Sequence, residues 1–174
     1  MSVTILKPAG AITPTGPWSV GARAGDFVFV AGMRGIDPNT NQLVEGEEAR
    51  VRQAFRNMMI VAASEGATAA DCVRTVVYVT DMARHRPLAN AGAEELWGNG
   101  PYPPRTIIEV KALNQGDFFE IDGIFTSRQN GKPEFPKRGL GMAAQITLHI
   151  FPAGVCRAAA LDRERHEHQP IHRQ

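Results

Sequence analysis

Apolar side chains at Val51, Phe55, Met58, Met59 and Ala62 recur at helical intervals between residues 47 and 65. They define one face of a helix of about five turns, and Gly66 is placed to end it. The runs around this helix follow a different period. Phe27-Val28-Phe29-Val30-Ala31 is aromatic and β-branched, enters from Ala24-Gly25-Asp26 and closes at Gly32, which reads as a buried strand. Asp37-Pro38-Asn39-Thr40-Asn41 has the chemistry of a turn. A second strand is expected over 72–80 around Val73, Val76, Val77, Tyr78 and Val79, and Asp81 starts the turn after it. Pro87 suits the first turn of a second helix that ends near Trp97 and stops at Gly98. Pro101, Pro103 and Pro104 hold the next segment extended, before strands over 105–113 and 118–126.

The order strand, helix, strand, helix, strand, strand predicts an α+β domain: a mixed β-sheet with both helices packed on one face. The other face needs a cover, which oligomerisation would supply. Composition changes near residue 127, where a Gly-, Pro-, Lys- and Arg-rich stretch begins. The domain is therefore placed at 1–127, and 128–174 is read as a C-terminal appendage without an assigned role.

The 174 residues are 43% apolar and 21% charged, which suits one globular domain with a tail. A net charge of +1 gives no electrostatic reason to expect nucleic acid or an anionic membrane as partner. Apolar runs such as 146–152 are too short to span a bilayer, and the first ten residues lack the apolar core of a signal peptide. A cytoplasmic protein is expected, with Cys72 and Cys156 as idle thiols. In the tail, His166, His168 and His172 have a loose metal-like spacing but read as a solvated terminus, and 145–150 alternates like a strand. No metal or organic cofactor is expected.

Several chemistries lack their residues. There is no Gly-rich phosphate loop and no GxSxG elbow. His85 is the one histidine of the domain, and it reads as a surface loop residue. What remains is Arg105, at a strand start behind Tyr102-Pro103-Pro104, and Glu120, expected in the neighbouring strand. An arginine beside a rigid proline segment makes a bidentate carboxylate clamp. The same two residues also fit a structural ion pair or two solvated side chains.

The order of motifs resembles the Rid, or YjgF-type, family of reactive imine and enamine deaminases. The matching stretches are Gly16-Pro17-Trp18-Ser19, then Gly25-Asp26-Phe27-Val28-Phe29-Val30-Ala31-Gly32 and Asp37-Pro38-Asn39-Thr40. They continue with Asp71-Cys72-Val73-Arg74-Thr75-Val76-Val77-Tyr78-Val79-Thr80-Asp81-Met82, Asn90-Ala91, and Tyr102-Pro103-Pro104-Arg105-Thr106-Ile107-Ile108-Glu109-Val110. They end with Phe119-Glu120-Ile121-Asp122-Gly123, so that the likeness covers about 13–127.

The resemblance implies a chorismate-mutase-like fold and a homotrimer with sites at the subunit interfaces. By the same resemblance, Arg105 grips the substrate carboxylate and Glu120 positions the attacking water. Gly32 and Ile107 contact substrate through the backbone, and Trp18 and Asn90 stand near the pocket. Trp18 also fits a plain core or interface aromatic, and Asn90 a helix hydrogen-bonder. The chain departs from the family pattern in carrying Trp18 for a tyrosine, Ala31 for a serine and Ile107 for a cysteine or small residue. Those changes broaden the expected substrate from small imino acids toward conjugated ones of the 2-aminomuconate type. A non-catalytic carboxylate-binding trimer is the third reading.

Overall fold

The computed structural model describes residues 2–127. The linker, strand and histidine readings made for 128–174, and Cys156, lie outside the described residues.

Six strands form one sheet in the order β1 (Val3–Ile5), β2 (Gly21–Ala24), β3 (Phe27–Met33), β8 (Phe119–Thr126), β6 (Cys72–Val79) and β7 (Arg105–Glu109). Only β6 and β7 pair in parallel, and the other neighbours are antiparallel. β4 (Ile36–Asp37) and β5 (Gln42–Leu43) close a small separate hairpin around the expected turn. The sequence reading had only four strands. β1 and β2 escaped it because they are three and four residues long and carry Thr4 and Arg23 rather than an apolar run.

Helix α1 (Glu47–Ala63) lies over β3 and β8, and α2 (Met82–Trp97) lies over β6 and β7. Both helices therefore cover one face of the sheet, as the periods predict. Val51, Phe55, Met58, Met59 and Ala62, the apolar face of α1, are all buried. They pack with Val28, Met33, Val77, Val79, Phe119, Ile121 and Phe125 of the sheet. Each large side chain removed from water there contributes about 1.5–3 kcal/mol. The two helices approach closely at Gly92, where an added Cβ would lie 2.6 Å from the Phe55 ring.

α2 begins five residues before the expected Pro87 start. The Asp81 side chain accepts the Arg84 N–H at 2.9 Å, and the Glu109 carboxylate accepts the Met82 N–H at 2.7 Å. These acceptors satisfy the first turn, which is why the helix starts there. Pro87 sits inside the helix and forfeits one backbone bond. β7 stops at Glu109 rather than at 113. His85 is not a surface loop residue. It lies on α2, 5% exposed, with its ring 4.5 Å from that of Phe118.

The sheet face away from the helices holds exposed Phe27, Phe29 and Ile108. It also holds two polar ties, Tyr78 Oη to Asp122 Oδ2 at 3.0 Å and Arg74 Nη2 to Thr106 Oγ1 at 3.2 Å. No helix among the described residues is long and apolar enough to cross a membrane.

Candidate active site

β7 is an edge strand, and the backbone before it is held extended by Pro103 and Pro104. The Thr75 N–H donates to the Pro104 carbonyl at 3.0 Å, which seats Arg105 opposite Thr75 at the start of the parallel pair. Arg105 Nη2 donates to Asn90 Oδ1 of α2 at 2.8 Å, orienting an otherwise exposed guanidinium. Around it is an open cleft of about 380 Å³ lined by Thr75, Asn90, Glu94, Trp97, Tyr102 and Arg105 among others. Its aromatic walls are anchored: Trp97 Nε1 donates to the Ala69 carbonyl at 2.9 Å, and Tyr102 Oη to the Gly98 carbonyl at 2.6 Å. The cleft offers a cation with a planar fork beside an apolar aromatic wall, a chemistry suited to a small organic carboxylate.

Glu120 occupies a different place. Tyr78 is its partner on β6, whereas Thr75 is the partner of Arg105. Thr75 and Tyr78 are three residues apart, an odd number, so their side chains point to opposite faces of the sheet. Arg105 thus projects on the helix side and Glu120 on the open side. β6 lies between their strands, and the register separates their backbones by roughly 14 Å. The expectation that Arg105 and Glu120 stand on neighbouring strands is corrected by this topology. β7 joins the sheet by a parallel crossover through α2 rather than by a hairpin to β8.

Glu120 is instead set against Gly32. A bulge in β3 between Val30 and Met33 puts Ala31 and Gly32 opposite a single residue, Asp122. A Cβ at position 32 would fall on the Glu120 carboxylate, so the side chain at 120 uses the space that glycine leaves. Burial pushes the Glu120 carboxyl above its usual value. The Arg34 charge opposes that rise, while Asp117 and Asp122 add to it.

The structure therefore divides five of the six predicted site residues into two groups. Arg105, Asn90 and the half-buried Ile107 belong to the β7 edge. Glu120 and Gly32 belong to the middle of the sheet. Trp18 lines neither place: it borders a shallow depression with Leu6, Ile12 and Val20, and its chain then enters β2. Val20, two residues on, accepts the Ala31 N–H at 3.0 Å, so this segment runs toward the Gly32 end.

Sequence reasoning missed Trp97 and Tyr102 in the Arg105 cleft, and Arg34 and Asp117 near Glu120. Asn90 and Trp97 are seven apart on one helix, and that spacing could have found Trp97. No local signal points to Arg34 or Asp117. Among the described residues, no group of three or more His, Cys, Asp or Glu side chains is arranged to hold a metal ion.

Known proteins resemble this arrangement in sequence and fold. Residues 9–126 match the family model described as Endoribonuclease L-PSP. A RutC family protein of Pyrococcus horikoshii is 32% identical over 69% of this chain and 94% of its own length. The 2-iminobutanoate/2-iminopropanoate deaminase of Salmonella typhimurium is 30% identical over 74% of this chain and all of its own, 100%. A solved structure of a probable translation initiation inhibitor from Rhodopseudomonas palustris superposes with a TM-score of 0.70 at 54% identity, covering 72% of this chain and 98% of that one.

Proposed function

The chain belongs to the Rid family, the family of the Endoribonuclease L-PSP model, and on that premise we propose that it is a hydrolytic deaminase of a small carboxylate-bearing imine or enamine. The observation that carries the reading is the Arg105 fork, held by Asn90 at the mouth of an aromatic-walled cleft. The Salmonella relative, named for deamination of two imino acids, supports the same chemistry.

An imine carbon beside a carboxylate is electrophilic. Arg105 binds that carboxylate and fixes where the carbon lies. Glu120, as a carboxylate, accepts a hydrogen bond from one water and aims its oxygen at the carbon. Water adds to the carbon–nitrogen double bond, and the proton it loses passes through Glu120 to nitrogen. The hydroxyl proton of that adduct then passes to nitrogen as the carbon–nitrogen bond breaks, so ammonia leaves and the carbonyl forms. An enamine first takes a proton on carbon and enters the same route.

Because Arg105 and Glu120 project on opposite faces, one chain alone does not make this site. We infer a homotrimer in which the β7 edge of one subunit meets the Glu120–Gly32 region of the next. The exposed Phe27, Phe29 and Ile108 support such a burial. Tyr102 and Trp97 favour a conjugated substrate, so a 2-aminomuconate-type intermediate is a specific candidate within the class.

The test is ammonia release from a panel of enzymatically generated imines and 2-aminodienoates. Turnover of short imino acids alone assigns a general role, and turnover of a dienoate alone a pathway role. Binding of small carboxylates with no ammonia from any member of the panel would establish the non-catalytic trimer instead.

A further inference from the structure

We propose that Arg34 is a positioning residue for Glu120, latched to the turn that leads into Glu120's strand and set beside Glu120 by the β3–β8 register, in which Met33 pairs with Ile121. The proposal rests on the reading of Glu120 as the group that orients water.

Arg34 follows Gly32 by two residues, just past the β3 bulge. Its backbone is pinned by Asn57, a fully buried side chain of α1. Asn57 Nδ2 donates to the Arg34 carbonyl at 2.9 Å and to the Ile36 carbonyl at 2.7 Å. Its guanidinium reaches across to the 114–117 turn. Nη1 donates to the Asn114 carbonyl at 2.8 Å, and Nη2 to Gln115 Oε1 at 3.0 Å. Nη1 also lies 3.8 Å from Asp117 Oδ2, three residues before Glu120. The planar fork donates to a carbonyl and an amide at once and sets its charge beside the Asp117 carboxylate.

The charges around Glu120 come from every neighbouring element. Arg34 stands at the end of β3, Asp117 in the turn before β8, Asp122 on β8 and Tyr78 on β6, while Arg50 of α1 lies 3.5 Å from Asp117 Oδ1. Asp117 is 2% exposed, and its Oδ2 has no hydrogen-bond partner among the described residues. Two guanidinium groups thus stand beside Asp117, and the Arg34 charge also acts on Glu120. Without Arg34, the carboxylate at 120 keeps its burial and two acidic neighbours and loses the one cation, among the described residues, that acts on it. A water-orienting carboxylate must be ionised at the working pH, so this loss bears on the chemistry.

The experiment follows the Glu120 carboxyl directly by its carbon-13 shift against pH, and in parallel the pH dependence of kcat/KM for ammonia release. Arg34→Gln is expected to move the Glu120 midpoint, and with it the acid limb of turnover, up by roughly one pH unit. Arg34→Lys keeps the charge and leaves the midpoint near that of the unchanged protein. Asp117→Asn removes a negative neighbour and is expected to move the midpoint down, which gives a second readout of opposite sign. An unchanged midpoint in Arg34→Gln, with turnover lowered equally at all pH values, overturns the proposal and leaves Arg34 as a structural tie. If the unchanged protein releases no ammonia, the deaminase reading fails, while the carbon-13 titration still decides whether Arg34 sets the charge of Glu120.

Discussion

Arg105 and Glu120 project from opposite faces of one sheet, with β6 between their strands. If both act on one substrate, they must come from two subunits. Light scattering is then expected to give three times the 18.9 kDa chain mass. Mixing provides a sharper measurement. Arg105→Ala and Glu120→Gln proteins, each inactive alone, are unfolded together in equal amounts and refolded. In a random cyclic trimer, about one site in four joins an intact Arg105 to an intact Glu120, so about a quarter of the activity should return. No recovery from a properly refolded mixture would mean that the two residues act within one chain or not together.

Gly32 is expected to be required for its missing side chain. A Cβ there falls on the Glu120 carboxylate, while the backbone at 32 is not among the positive-φ positions of the chain. Gly32→Ala should therefore fold, displace the carboxylate and lower kcat by roughly 10²-fold, the usual cost of a misplacement of about 1 Å. Carboxylate binding at Arg105 should change little. Full activity in Gly32→Ala would show that Glu120 takes another rotamer during turnover.

The parts of the fold legible in the sequence were those with long, regular periods. The α1 face and the β3, β6 and β8 strands all bury side chains on a strict repeat, and they lie within a residue or two of their expected limits. β1 and β2 were invisible because they are short and partly exposed, and pairing rather than propensity makes them strands. Arg105 and Glu120 were singled out by residue type and motif, but their relative placement was not readable. It depends on which strand inserts between which others, a property of the crossover through α2. Arg34 was overlooked for a related reason: its partners, Asn114, Gln115 and Asp117, lie about eighty residues away along the chain.

The Arg105–Asn90 hydrogen bond predicts a graded series. Arg105→Ala should weaken binding of a stable keto-acid product by roughly 2–4 kcal/mol, the loss of a charge-assisted bidentate contact. Arg105→Lys should recover little, because a single ammonium does not present two parallel donors. Asn90→Ala keeps the charge and loses only its orientation, so a smaller loss of about 1 kcal/mol is expected. Calorimetry on the three proteins checks the order. An Asn90→Ala effect as large as that of Arg105→Ala would place the amide itself on the ligand.

Glu120 should oppose stability while serving the chemistry. Burial raises its carboxyl above the ordinary value of 4.5. The folded protein therefore binds a proton more tightly than the unfolded chain does. Stability is then highest at low pH with respect to this group, falls as pH rises from the unfolded value through the folded one, and stays lowered above both. Glu120→Gln imitates the protonated side chain at every pH. Its Tm is expected to exceed that of the unchanged protein near pH 8 and to converge with it as the pH falls to about 3, where the carboxyl is neutral in both states. The same variant should lose roughly 10²- to 10⁴-fold in kcat and keep its carboxylate affinity, because the lost charge acts on water rather than on the carboxylate. Calorimetric melting at several pH values and coupled ammonia detection read the two effects separately. A Tm gap that does not narrow on acidification would mean that the glutamine acts by repacking and not through charge. Wild-type turnover in Glu120→Gln would leave the carboxylate at 120 a neighbour of Gly32 without a part in the reaction.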